Sequence, residues 1–121
     1  MTLTHVTVIL RTNVPPESIQ KEFLSKMTTF VSNLFGAETG NVVVELHTNI
    51  QMMRAGSTSH MINMNVHHNS DKVATAKVEL AGSIAQFLSR EISMPFDSLK
   101  HVMNLFFISR PSTEYRCTSN R

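Results

Sequence analysis

The chain has 121 residues, of which 41% are hydrophobic, and a formal net charge of +2. That length and composition describe one domain able to bury a core, and they exclude a disordered chain. A single cysteine, Cys117, excludes both an internal disulfide and a multi-cysteine metal site.

The first predicted element is a strand over residues 5–11, where Val6, Val8 and Leu10 alternate with Thr7 and Ile9. The residues before it carry no basic charge, so they do not read as a signal peptide. Pro15 and Pro16 break the strand and open a helix predicted over residues 17–35. Its apolar residues, Ile19, Phe23, Met27, Phe30, Val31 and Leu34, recur every three or four positions and form one stripe. Glu17 falls in the first turn, and Gly36 is a natural left-handed stop.

Residues 41–48, with Val42, Val43, Val44 and Leu46, predict a second strand. Residues 50–59 read as turn, with Gly56 among Ser57, Thr58 and Ser59. A third strand over residues 60–68 places Ile62, Met64 and Val66 on one face. Met61, Asn63, Asn65 and His67 fall on the other. Ser70 and Asp71 offer a cap for a second helix, with Val73, Ala76, Leu80, Ile84, Phe87, Leu88 and Ile92 inward and Pro95 as its end. A fourth strand is predicted over residues 99–108, stopped by Pro111, with a loose polar tail over 111–121.

The order is strand, helix, strand, repeated at an offset of roughly 55 to 58 residues, so that Phe87 corresponds to Phe30. The halves span about 5–55 and 60–110. The implied fold class is α/β (α+β): two βαβ repeats forming a four-stranded mixed sheet with two helices on one face. The other face, expected to carry Met and Val, needs a partner, and self-association is the expectation.

Chemistry-bearing residues are few. Basic residues are scattered, and only Arg110, Arg116 and Arg121 crowd together, which argues against nucleic acid. No apolar run approaches the roughly 18 residues of a membrane span. Adjacent His67 and His68 face opposite sides of a strand and cannot share an ion. A metal would need His5, His101 or His67 to converge, so no metal and no cofactor is expected. The eight methionines read mostly as core filler. No nucleophile elbow is present, and Asp71 and Glu79, two helical turns apart, read as solvated.

The run Thr12-Asn13-Val14-Pro15 with Phe23-Leu24-Ser25, then Met52 with Gly56-Ser57, then His67, resembles the macrophage migration inhibitory factor family of the tautomerase superfamily. The comparison runs without a gap from about residue 6 to 102. The resemblance implies a homotrimer whose sheets enclose a channel, with sites between neighbours. It also implies tautomerisation of keto–enol compounds such as phenylpyruvate by an N-terminal proline acting as general base.

This chain departs from that pattern at the site. Val6 stands where the proline would, preceded by five residues, so its nitrogen is a resonance-stabilised peptide amide and no base. Removing Met1 would expose Thr2, a primary amine on the order of 13 Å away along an extended chain. Ala37 replaces a lysine that holds the substrate carboxylate. Asn69 replaces an apolar wall, and Lys100 and Val102 replace a tyrosine and an asparagine. Met61-Ile62-Asn63-Met64 replaces a Cys-x-x-Cys, which excludes thiol–disulfide exchange.

The expectation is a binding or signalling protein with no catalytic residue and tautomerase activity weak or absent. It would be a homotrimer, or a hetero-oligomer with a paralogue, and could have a protein receptor. It would reside in the cytoplasm and, by a leaderless route, outside the cell. The rival is an isomerase with a rearranged site using Lys100, His67 or the Thr2 amine.

Overall fold

The computed structural model describes residues 3–92, Leu99 and 102–110. The expected stops at Pro95 and Pro111, the tail 111–121, Lys100, His101 and Cys117 lie outside these. Four strands form one sheet: β1 (Val6–Thr12), β2 (Val42–His47), β3 (Ile62–His68) and β4 (Met103–Ser109). Their order is β2-β1-β3-β4. β1 runs parallel to β2, and β3 parallel to β4, each pair joined by a crossover that contains a helix. The two units meet where β1 and β3 pair antiparallel, Val6 opposite His68 and Thr12 opposite Ile62. The predicted two-repeat sheet is therefore the observed one.

Alternation decides the faces. Val6, Val8, Leu10 and Thr12 of β1 are buried, as are Ile62, Met64, Val66 and His68 of β3. These residues meet helices α1 (Phe23–Phe35) and α2 (Lys72–Glu91). In α1, Phe23, Met27, Val31 and Phe35 are buried at a spacing of four, one stripe on one face. The stacked rings of Phe30 and Phe87, 4.4 Å apart and 15° from parallel, join the helices, with Phe23 6.3 Å from Phe87. The residues that the repeat equates thus touch each other.

Several boundaries differ from expectation. α1 begins at Phe23, six residues after Glu17. The prolines open only a 3-10 turn, Pro16–Ser18, after which Ile19 is extended and Glu22 is left-handed at φ 61°. The Gln20 N–H donates to the Glu91 carbonyl of α2 at 2.8 Å, so it cannot join a helical ladder. Gly36 does end α1 in the left-handed region at φ 69°, its N–H bonded to the Ser32 carbonyl. For α2, Asp71 contributes no side-chain cap; the Ser70 hydroxyl accepts the Lys72 N–H at 3.1 Å instead. Ala76 leaves helical geometry at φ −129° and kinks α2.

β3 starts at Ile62, two residues later than predicted, because both backbone groups of Met61 are taken by side chains of Thr12 and Asn13. Met61 is accordingly buried, where alternation had placed it outward. β4 starts at Met103. Leu99, fully buried, and Val102 are helical, three positions apart on one face, and precede the strand. The second half is therefore longer: Val6 and Ile62 are 56 residues apart, Val42 and Met103 are 61.

The uncovered face differs in character from the expected Met and Val surface. Its central rows carry Arg11, Asn63, Asn65 and His67, with the Asn104 amide donating to Asn63 Oδ1 at 3.0 Å. Apolar groups there are Ile9, Val43, Phe106 and Ile108, with Val43 and Phe106 exposed. Methionine fills the core at Met27 and Met64 instead.

Candidate functional site

Of the site positions proposed from sequence, Val6 and Asn69 lie at the N-terminal end of β1, whereas Val102 precedes Met103, which is in register with Ile62 and, through it, with Thr12 at the opposite end. Val6 enters the sheet between Val42 and His68 and is 1% exposed. Its nitrogen is the peptide link to His5. Asn69 is the residue after β3, and its side chain reaches the chain before β1. The His5 N–H donates to Asn69 Oδ1 at 2.8 Å, and Asn69 Nδ2 donates to the Leu3 carbonyl at 2.8 Å. Ala37 follows the helix stop at Gly36 and is buried in the core. Val102 packs against that core from the residue before β4, and Lys100 lies outside the described residues. Val6 and Asn69 are brought together; Ala37 and Val102 are core groups with no polar atom to offer beyond their backbone.

Sequence reasoning missed His68 as a member of this cluster. It pairs with Val6, is 5% exposed, and sits with Phe35 and Phe107, both 6.3 Å from its ring. Burial, foremost, holds its pKa below the ordinary 6.5, with a smaller like-charge contribution from His67. Its Nδ1 accepts the Ser70 N–H at 3.1 Å, which fixes an acceptor at that nitrogen and favours the neutral ring. Neutral His68 is a hydrogen-bonded core residue. The signal for it was the phase of β3: it follows Ile62, Met64 and Val66 at steps of two.

A cation was also missed. Lys72 Nζ donates to the Leu34 carbonyl at 2.9 Å, at the C-terminal turn of α1, where a positive charge meets the negative end of the helix dipole. It caps that one carbonyl, three residues before Ala37 in the chain. His67 lies on the uncovered face, opposite Thr7, and the Arg110 guanidinium donates to its Nδ1 at 2.9 Å. Among the described residues, no three His, Cys, Asp or Glu side chains are placed to hold one ion. Among the same residues, no helix is long and apolar enough to cross a membrane.

The opposite end of β1 explains the Thr-Asn-Val-Pro run. Thr12 Oγ1 donates to the Met61 carbonyl at 2.8 Å and accepts the Val14 N–H at 3.1 Å. Asn13 Oδ1 accepts the Met61 N–H, and its Nδ2 donates to the carbonyls of Thr58 and Ser59. These two side chains staple β1 to the loop entering β3. That loop turns through left-handed Ala55 and Gly56, closed by mutual Arg54–Ser57 backbone bonds of 2.9 Å. Beside it lies an open cleft of about 570 Å³ lined by Asn13, Met52, Met53, Thr58 and His60, among others. A second, of about 320 Å³, lies between the start of α1 and β2, against Phe23, Leu24 and Leu46. Neither cleft touches Val6, Ala37 or Asn69.

Residues 6–113 match the family described as macrophage migration inhibitory factor (MIF). No curated protein sequence matches the chain. Among solved structures, the macrophage migration inhibitory factor of Trichinella spiralis superposes with a TM-score of 0.77 at 18% identity, over 87% of this chain and 89% of that one. That of Oncomelania hupensis gives 0.76 at 16%, over 87% and 86%. The homologue from Prochlorococcus marinus gives 0.75 at 13%, over 93% and 95%. At these identities the structural likeness establishes the fold.

Proposed function

Because the chain belongs to the macrophage migration inhibitory factor family, with the fold of the tautomerase superfamily, we propose that it is a binding or signalling protein of that family whose tautomerase activity is weak or absent. The observation that carries this reading is the state of the Val6 nitrogen. A general base must offer a lone pair near the proton it removes. Here that nitrogen is an amide inside the central strand, its lone pair delocalised into the carbonyl of His5. The surroundings point the same way: Ala37 supplies no cation, and the Asn69 amide is engaged with backbone. Neutral His68 is bonded to Ser70. His67, a base in the rival reading, sits on the opposite face from the Val6 side chain and is bonded to Arg110.

Function then rests on surfaces. Among the described residues, the sheet has two outer strands, β2 and β4, and one face without helices. These features support assembly as a homotrimer, or with a paralogue, and engagement of a protein receptor; the place proposed for it is the cytoplasm or, by a leaderless route, outside the cell. The test is enol-to-keto conversion of phenylpyruvate by the purified protein, followed by absorbance. Background rates are expected; a robust rate abolished by substituting Val6 would overturn the reading. Light scattering during size exclusion tests the assembly, and a monomer would remove the trimer from it.

A further inference from the structure

We infer that residues 3–5 form a strap, latched by Asn69, that closes the site position beside Val6; the inference deepens the reading above and rests on it for where that site lies. The last antiparallel pair of β1 and β3 is Val6 with His68. Beyond it the ladder would end. Instead, Asn69 presents its side-chain amide as a substitute peptide group. The amide oxygen takes the His5 N–H and the amide nitrogen gives to the Leu3 carbonyl, both at 2.8 Å. An N–H and a carbonyl two residues apart are the pair that the N–H and carbonyl of one residue satisfy in a parallel neighbour. One side chain therefore extends the sheet by a rung and orients the chain that precedes it.

The consequence concerns access. A free terminus at Val6 would leave open the space before β1. This chain fills it with its own backbone, and the residue that holds the backbone there stands where the resemblance places an apolar pocket wall. A leucine or alanine at position 69 could make neither bond. The substitution that removes the wall is thus the one that fastens the strap. Leu3 and His5 are exposed and Thr4 is half-buried, so the strap lies on the surface and is held by the latch more than by core packing. It can open without unfolding the sheet.

The experiment compares the full chain with Asn69→Ala, which removes the latch, and His5→Pro, which removes the donated N–H from the strap side. Amide exchange by NMR is expected to show His5 protected in the parent and about tenfold faster in Asn69→Ala, the scale of one lost hydrogen bond. Val8 and Val66 amides should stay protected, which reports a folded sheet. Titration with phenylpyruvate should shift resonances around Val6 in both variants and leave the parent unmoved. Exchange of the parent's His5 amide at the rate of an unstructured chain would overturn the strap. So would two folded variants that bind phenylpyruvate no better than the parent. Turnover appearing on release would support the strap while overturning the inert-site reading. Failure of the strap alone leaves that reading standing.

Discussion

The two ends of β1 are built for different ends. At the C-terminal end, Thr12 and Asn13 make five hydrogen bonds to the loop before β3 and to Val14, and Thr12 is fully buried. At the N-terminal end, Val6 pairs with Val42 and His68 in the sheet, and the Asn69 side chain reaches out to a surface segment through two bonds. The first end carries the motif that resembles the macrophage migration inhibitory factor family; the second carries Val6 and Asn69, two of the positions that depart from it. The difference teaches that the recognisable motif is scaffolding. It preserves the strand's place while saying nothing about chemistry at the other end, some six residues away.

Substitutions can break this contrast. Thr12→Val is expected to have the largest effect, about 2–3 kcal/mol by chemical denaturation, because it leaves the buried Val14 N–H and Met61 carbonyl without a partner. Asn13→Ala should cost about 1–2 kcal/mol, since the freed Thr58 and Ser59 carbonyls can reach water. If either proves neutral, the motif has no structural role and a functional one must be sought. At the other end, the pH dependence of stability reports His68. Its folded pKa is depressed, so below 6.5 the unfolded chain binds more protons than the folded one. Stability is full above about pH 7 and falls as pH drops through 6.5 toward the lowered folded value. Thermal midpoints at pH 5.5 and 7.5 should differ less in His68→Gln than in the parent. Asn69→Ala is expected to be smallest, within about 0.5 kcal/mol of the parent in global unfolding. A large loss there would show that the latch is part of the core rather than a surface strap.

Much of the fold was legible because burial imposes periods. Alternation over Val6, Val8 and Leu10, and over Ile62, Met64 and Val66, gave the inward faces directly. Repeat spacing equated Phe30 with Phe87 before their contact was known. What misled was local propensity set against long-range bonds. The helix expected from Glu17 is held off by the Gln20–Glu91 backbone bond, and Met61 is turned inward by Thr12 and Asn13, 49 and 48 residues away. Neither partner is visible in a window of neighbours. At the site, the inert nitrogen of Val6 follows from its place in the chain. The Asn69 latch does not, because the carbonyl and N–H it bonds belong to residues 66 and 64 positions earlier.

The contact of Phe30 with Phe87 has a further meaning. Each ring occupies, in its own half, the place the other occupies in the second half, so the stack lies astride the internal dyad as a side chain would at the axis of an isologous dimer. The two side chains therefore act as one packing unit. A change in ring size at either is felt by its own image, so the two positions cannot be altered independently.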